Sequence, residues 1–351
     1  MNARAKLEQL DSERSLSALA SHDADDGLGF ESMASRVQGE LAERKSYGER
    51  ALSYHVPFLD DLLRGIAPHE LVLVGAPTGA GKTDLVRIIA QSNAKQGKRV
   101  HLFALEAERS EIEQRTKYGI LAKLAAHAGR DIDALNYRDW YFGRCEHIVG
   151  DFNAIADRQI TSDYRTLQTY YRGARFDLRT LERLFKAIQR DTDLIILDHL
   201  HYVDLDGDGD NTEYARMLKL IRATALEIGK PVILVAHLRK RDLRDRSVVP
   251  AIEAFHGSSE ITKVVTSTVM LSPARVIQDR AKWFESYTFL HVPKDRMGGA
   301  SGYVAACAFD RRFKGYASTY TLGRLNAAGD EWTELSVGER PSWAINHRGF
   351  E

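Results

Sequence analysis

The sequence is poor in cysteine, carries no excess charge of either sign and contains no long apolar run. Its two cysteines, Cys145 and Cys307, are too few for a disulfide framework, which indicates a reducing compartment. The 49 basic side chains balance 49 acidic ones, so any binding to nucleic acid has to be local. No apolar stretch approaches the roughly 18 residues that span a bilayer, and the charged N-terminus does not resemble a signal peptide. We therefore expect a soluble, cytoplasmic protein with no membrane partner.

The composition is otherwise that of a globular protein with a large core, with 44% hydrophobic and 28% charged residues among 351. An acidic stretch with glycine ends residues 1–28, which predicts a mobile N-terminal extension. Within residues 29–50, Met33, Val37 and Leu41 recur every four residues and predict a one-sided helix that docks on its own domain or on another subunit. Residues 51–325 are the predicted main domain, and residues 326–351 are predicted to be a C-terminal tail.

After Tyr54, short apolar runs alternate with helical segments, which predicts an α/β fold with a mostly parallel sheet covered on both faces. We predict strands at 71–76, 100–106, 194–199, 231–238 and 266–272, and helices at 82–96, 110–127, 178–190 and 213–229. Three further strands, at 287–294, 303–310 and 318–322, are expected to continue the sheet in antiparallel fashion. The segment 137–175 shows no assignable pattern.

The strongest motif is a glycine-rich stretch that follows a predicted strand and opens a predicted helix. Its small residues allow backbone N–H groups to surround a polyphosphate, its lysine reaches the β- and γ-phosphates, and its threonine hydroxyl holds Mg²⁺. The strict pattern has glycine where Ala76 stands, with Gly75 one residue earlier. The residues predicted to bind ATP are Ala76, Pro77, Thr78, Gly79, Ala80, Gly81, Lys82 and Thr83.

Three polar residues stand at the carboxyl ends of other predicted strands, at the edge of the sheet where ligands bind in open α/β folds. Asp198 comes directly after the apolar run 194–197 and is expected to support the metal from a neighbouring strand. Glu106 is a candidate to polarise the water that attacks the γ-phosphate, or else a surface glutamate that opens a helix. His237 is a candidate to sense the γ-phosphate, or else a structural histidine.

These strand ends resemble a known family when they are taken in order. They are similar to the RecA-like P-loop NTPase core of the DnaB-like (superfamily 4) replicative ring helicases. The four stretches that carry this similarity are Ala-Pro-Thr-Gly-Ala-Gly-Lys-Thr, Phe-Ala-Leu-Glu, Ile-Ile-Leu-Asp-His-Leu and Val-Ala-His-Leu. Lys294-Asp-Arg-Met-Gly-Gly299 resembles the family's Lys-x-Arg strand end followed by glycine. Phe255-His-Gly-Ser-Ser-Glu-Ile261 stands in the place of the family's DNA-contacting loop. The resemblance covers roughly residues 50 to 325.

The resemblance implies a role for each matching residue. Lys82 and Thr83 bind phosphates and Mg²⁺, Asp198 binds the metal, and Glu106 is the catalytic carboxylate. His237 becomes the γ-phosphate sensor that couples nucleotide state to the grip on DNA.

Two further residues of the motif point to a neighbouring subunit. Arg296 acts in trans as an arginine finger on the next subunit's ATP, with Lys294 beside it. The implied function is an ATP-dependent DNA helicase that forms a ring, expected to be a hexamer, and moves 5′ to 3′ on single-stranded DNA during replication. Possible partners are a primase or a loader.

Candidate DNA contacts lie in two segments. Arg239, Lys240 and Arg241 belong to a basic run that is suited to phosphates or is a solvated loop, whereas Ser258, Ser259 and Lys263 stand near the family's DNA loop. The chain shows no collar or primase domain before its core, which favours a phage or plasmid as its source. The alternatives are a RecA-like recombination or repair ATPase and an ATP-switched loader that binds DNA without unwinding it.

Overall fold

The computed structural model describes residues 32–173, 175–204, 211–239, 245–255, 263–298 and 302–350. The chain divides between Ala51 and Leu52 into two units. In the first unit, helix α1 (Met33–Arg50) carries three exposed apolar residues along one side, with Met33 82%, Val37 61% and Leu41 54% exposed. The predicted one-sided helix is therefore present. The predicted extension at 1–28 lies outside the described residues.

The described residues of the second unit are built on a mixed sheet of ten strands. Its helices are α2 (Pro57–Leu63), α3 (Lys82–Lys95), α4 (Glu111–His127), α5 (Tyr137–Tyr141), α6 (Glu146–Val149), α7 (Asn153–Asp163), α8 (Leu178–Ile188) and α9 (Asn211–Ile228). Its strands are β1 (Leu71–Ala76), β2 (Val100–Ala104), β3 (Leu167–Tyr171), β4 (Leu194–Asp198), β5 (Val232–His237), β6 (Ser267–Pro273), β7 (Glu285–Asp295), β8 (Tyr303–Asp310), β9 (Gly315–Leu325) and β10 (Trp332–Glu334).

The strand order is β10-β9-β8-β7-β6-β1-β5-β4-β2-β3. Strands β1 to β6 pair in parallel, and β6 to β10 pair antiparallel. The α/β fold and the antiparallel end of the sheet are thus confirmed. One expectation is wrong, because β5 lies between β1 and β4, so the strand that carries Asp198 is not the direct neighbour of β1.

The central strands are buried on both faces, which explains why their sequences are continuous apolar runs rather than alternating ones. In β1, Val72 and Val74 join the core that contains α3, while Leu71 and Leu73 join the opposite core that contains α8 and α9. The sheet is therefore a rigid layer between two sets of helices, and its strand ends are held in fixed positions.

The described residues of the unassigned segment 137–175 form three α-helices, a 3-10 helix (Gly150–Phe152) and the strand β3. Tyr137 and Trp140 pack their rings on Tyr118 of α4, at centroid distances of 5.3 and 5.7 Å. Strand β3 pairs with β2 at the edge of the sheet. Its half-exposed sequence, Leu-Gln-Thr-Tyr-Tyr, lacks the apolar run that identified the central strands.

The predicted boundary at residue 325 is wrong, because the residues after it belong to the sheet and to its core. Strand β10 pairs with β9, and Ala344 and His347 are buried. His347 accepts a hydrogen bond on Nδ1 from the backbone N–H of Leu322, at 3.0 Å. These residues cover the last long strand, which would otherwise be an open edge. No helix in the described parts of the chain is long and apolar enough to cross a membrane.

Candidate active site

The glycine-rich motif forms the turn between β1 and α3. Gly79 and Gly81 have φ angles of +78° and +91°, which residues with a Cβ rarely adopt. Ala76 is fully buried as the last residue of β1, so the departure from the strict motif falls in the strand rather than in the turn. Glycine is required one residue earlier, because a Cβ on Gly75 would lie 2.2 Å from Cζ of Phe255.

Lys82 is the first residue of α3, and its ammonium group lies inside the turn. Its Nζ donates to the carbonyl oxygens of Ala76 and Pro77, at 3.2 and 3.3 Å, and to Nδ1 of His237, at 2.9 Å. Burial lowers the pKa of Lys82, whereas the carboxylates of Glu106 and Asp198 act to raise it. The lysine is thus held where a polyphosphate in the turn would meet it.

The ends of four neighbouring strands bring the other predicted residues to the same edge of the sheet, which we call the carboxyl edge. Ala76 of β1 pairs with His237 of β5, and Ala104 of β2 pairs with Asp198 of β4. The backbone N–H of Glu106 donates to the carbonyl oxygen of Asp198 at 3.4 Å. The structure therefore assembles these residues beside the phosphate turn.

Asp198 and Thr83 fit a magnesium ion. Burial is the main reason that the pKa of Asp198 is raised to about 6. A hydrogen bond with Thr83 acts to lower this pKa, and the negative charge of Glu106 acts to raise it. Oδ1 of Asp198 is buried and has no hydrogen-bond partner among the described residues. A buried carboxylate oxygen without a partner, next to a hydroxyl, is the oxygen-rich environment that Mg²⁺ prefers.

Two histidines flank Glu106. Nε2 of His237 lies 3.7 Å from Oε1 of Glu106, and Nε2 of His199 lies 3.5 Å from Oε2. Burial, with the neighbouring His237 and His201, lowers the pKa of His199 to about 3. Burial and the charge of Lys82 also lower the pKa of His237. Both shifts favour the neutral form of the imidazole. His199 is not among the site residues predicted from the sequence, although its position directly after Asp198 is a usable signal.

A cavity of about 270 Å³ opens on one side of the phosphate turn. Gly79 and Gly81 line it together with Tyr287, Lys314 and Tyr316 from the antiparallel strands and the turn before β9. Its position is suited to the nucleoside part of a bound nucleotide. The sequence carries no local signal for these residues, because only the packing of β7 and β9 brings them to the turn.

Arg296 and Lys294 lie at the opposite edge of the sheet, which we call the amino edge. The backbone N–H of Arg296 donates to Thr266, whose N–H donates to Leu71 at the start of β1. Strand β1 has six residues and therefore separates this edge from the phosphate turn by roughly 20 Å. Arg296 is exposed. Burial of Lys294 lowers the pKa of its ammonium group, and the positive charge of Arg296 lowers it further. The structure thus does not bring these two cations to the chain's own phosphate turn.

The predicted DNA contacts are only partly within the described residues. Lys240, Arg241, Ser258 and Ser259 lie outside them. Arg239 follows β5 at the carboxyl edge and lines a cavity of about 590 Å³ with Arg246, Arg275, Pro77 and Thr78.

Lys263 lies at the other edge, away from Arg239. It precedes β6, and its carbonyl oxygen accepts a hydrogen bond from Nη2 of Arg296 at 2.7 Å. The structure therefore separates the two described DNA-contact candidates, one at each edge of the sheet.

The family model "DnaB-like helicase C terminal domain" matches residues 52–318, about three quarters of the chain. The chain belongs to this family. The predicted resemblance is confirmed, and the chain is a DnaB-like, ATP-hydrolysing helicase domain. The phosphate turn at the carboxyl edge remains the predicted nucleotide site.

Solved structures agree with the DnaB-like fold. One solved ATPase domain matches with a TM-score of 0.61 at 15% identity, over 82% of this chain and 99% of that one. A DnaB-like replicative helicase, studied with its interactions with primase, matches with a TM-score of 0.61 at 15% identity, over 90% of this chain and 74% of that one. No curated protein matches the sequence.

Proposed function

We propose that the chain is one subunit of a hexameric ring helicase that hydrolyses ATP at subunit interfaces and moves along single-stranded DNA during replication. The observation that supports this most is the division of charge between the two edges of the sheet. The phosphate turn, Asp198 and Glu106 lie at the carboxyl edge, whereas Arg296 is exposed and Lys294 is half-buried at the amino edge. An arginine that cannot reach its own nucleotide is available to a neighbour's.

In this proposal, Lys82 leaves its carbonyl partners and His237 for the phosphates of ATP. Glu106 accepts a proton from the attacking water while the bond to the γ-phosphorus forms and the bond to the β-phosphate oxygen breaks. Arg296 of the neighbouring subunit stabilises the charge that develops on the phosphoryl group. Mg²⁺, when bound by Thr83 and Asp198, would neutralise phosphate charge.

We assign the coupling between nucleotide and DNA to the end of β5. His237 contacts both Lys82 and Glu106, and the chain continues from it through Leu238 to Arg239. Arg239 opens the basic run that includes Lys240 and Arg241. A change at His237 is therefore transmitted over two residues to a predicted DNA contact. The loop with Ser258, Ser259 and Lys263 is the second proposed contact, and phosphate contacts of this kind give no base specificity.

We further propose that α1 docks on a neighbouring subunit, since its apolar side is exposed. A similar DnaB-like helicase was studied with its interactions with primase, which makes a primase, or a loader, the class of protein partner that we propose here.

The test is ATP-dependent unwinding of forked DNA that carries either a 5′ or a 3′ tail. We expect unwinding from the 5′ tail by the wild type, loss of unwinding in Lys82→Ala, and full activity in Lys98→Ala, a lysine after α3 that is remote from the turn. Hydrolysis that single-stranded DNA stimulates, with no unwinding of either fork, would instead support a recombination-type ATPase.

A further inference from the structure

Glu106, His199 and His237 form a cluster that admits two explanations. Their ligand-type atoms, one per residue, lie within 4.8 Å of one another, and two histidines with one carboxylate are a common set of ligands for a transition metal. The same three side chains also suit a hydrogen-bonded clamp on Glu106. The two explanations differ in where each imidazole carries its hydrogen.

The hydrogen of His199 can be assigned from its neighbours. Nδ1 of His199 accepts a hydrogen bond from the backbone N–H of His201, at 3.2 Å. A neutral imidazole has one donor and one acceptor nitrogen, so the hydrogen of His199 is on Nε2. The side chain is 1% exposed, which holds the ring in place.

The hydrogen of His237 can also be assigned from a neighbour. Lys82 Nζ lies 2.9 Å from Nδ1 of His237, and an ammonium group can only donate. The hydrogen of His237 is therefore also on Nε2. Both Nε2–H groups face Glu106, one toward each carboxylate oxygen, at 3.5 and 3.7 Å. A metal ion would need the Nε2 lone pairs, which neither ring offers in this arrangement.

We infer that His199 is a positioning residue that holds the carboxylate of Glu106 in the orientation in which it accepts a proton from the attacking water. The buried Nε2 of His199 makes no hydrogen bond to any described residue, and Oε2 of Glu106, 3.5 Å away, is the acceptor that it faces. Glu106 is the more exposed partner, at 36%, so the fixed histidine orients the carboxylate rather than the reverse. The inference rests on the proposed function, because it takes Glu106 as the catalytic base.

Three variants test the inference in the full-length chain with ATP, Mg²⁺ and single-stranded DNA. His199→Asn keeps an acceptor near Nδ1 but has no donor at the position of Nε2, whereas His199→Gln places an amide N–H near that position. The matched control is His147→Asn, an exposed histidine on α6. We expect His199→Asn to lower kcat about 10- to 100-fold, the usual effect of removing a partner that orients a reactive group, with KM for ATP unchanged. His199→Gln should recover most of that loss.

A double-mutant cycle with Glu106→Gln separates positioning from a structural effect. If His199 acts through Glu106, His199→Asn lowers kcat no further once Glu106 is replaced. If the full loss is added in that background, or if His199→Asn alone leaves kcat unchanged while Glu106→Gln lowers it, the inference is wrong. If Glu106→Gln itself leaves kcat unchanged, the proposed role of Glu106 fails, and the inference fails with it.

The metal explanation has its own readout in the nucleotide-free protein. Titration of Zn²⁺ by calorimetry should give the same binding for the wild type and for His199→Asn. Tight Zn²⁺ binding by the wild type that is lost in His199→Asn would overturn the assignment of both Nε2 hydrogens.

Discussion

Asp193 and Asp198 stand at either end of β4 and have opposite electrostatic environments. Burial acts against ionisation of Asp193, but hydrogen bonds from Arg99 and Lys230 outweigh it and lower its pKa. Burial dominates at Asp198 and raises its pKa to about 6. Asp198 thus carries a charge that destabilises the nucleotide-free protein, while Asp193 stabilises it.

Replacement of Asp198 by asparagine should stabilise the nucleotide-free protein and abolish hydrolysis. The folded protein binds the proton of Asp198 more tightly than the unfolded chain, so stability falls as the pH rises from about 4 to about 6 and stays low above that. The gain in the free energy of unfolding should reach up to roughly 3 kcal/mol at pH 8 and disappear near pH 4. Urea denaturation across this pH range, without nucleotide or Mg²⁺, measures it.

The control is Asp193→Asn, at the other end of the same strand. Because the folded protein lowers the pKa of Asp193, this aspartate contributes stability at neutral pH that is lost as the pH falls. The substitution should therefore destabilise the protein at pH 8. The same sign for both substitutions would contradict the electrostatic account of β4.

The contact between β1 and the segment before β6 depends on one glycine. Gly75 has the ring of Phe255 against its Cα, and residues 256–262, where the proposed DNA loop lies, come directly after that ring. The strand that leads to the nucleotide thus packs on the residue that precedes a proposed DNA contact.

Replacement of Gly75 by alanine should lower the free energy of unfolding by about 1–3 kcal/mol, because the new methyl group overlaps the ring of Phe255. In a Phe255→Leu background the same substitution should cost clearly less. Urea denaturation of the four proteins in this cycle gives both values. An equal cost in both backgrounds would mean that the ring is not what excludes a side chain at position 75.

Helix α1 provides a test of assembly. Leu41→Asp places a charge on the exposed apolar side and should lower the mass of the oligomer, because burying a carboxylate in an interface is unfavourable. Ala42→Asp introduces the same charge about 100° around the helix and should leave the mass unchanged. Light scattering after size-exclusion chromatography in the presence of ATP measures both variants. An unchanged mass for Leu41→Asp would exclude α1 as a docking helix.

The separation of Arg296 from the phosphate turn predicts complementation between subunits. Arg296→Ala and Lys82→Ala should each be inactive alone, but a mixture should hydrolyse ATP. In a closed ring with heterologous contacts, each interface joins the phosphate turn of one subunit to Arg296 of the next. In a random equal mixture, about one quarter of the interfaces therefore join an intact turn to an intact arginine. Phosphate release as a function of the mixing ratio measures this recovery.

The matched control combines Lys82→Ala with Glu106→Gln. Both changes lie on the carboxyl edge, so every interface in that mixture keeps a defect and no activity should return. Failure of the Arg296→Ala and Lys82→Ala mixture to recover activity, with both variants shown to assemble, would contradict catalysis in trans.

Local pattern was sufficient for the central strands and for the phosphate turn. Strand β1 and the start of α3 occur where the sequence predicts them, because a buried parallel strand is a continuous apolar run and the turn needs glycine at positions with positive φ. The positions of Asp198, Glu106 and His237 at the ends of their strands follow from the same periodicity. These features depend on residues that are close together in the chain, so they can be predicted from the sequence alone.

Other features arise only when distant segments pack. Four features depend on contacts between residues that are tens to hundreds of positions apart. They are the order of β5 and β4 beside β1, the edge strand β3, the inclusion of residues 326–350 in the sheet, and the cavity lined by Lys314 and Tyr316. The clamp of His199 on Glu106 belongs to the same class, since it joins the ends of two strands 93 positions apart. The sequence by itself determined which chemical groups the chain offers, because the phosphate turn and the strand ends require particular residue types. The tertiary structure decided which of those residues share an edge of the sheet, because side chains from separate strands meet only after the strands have paired.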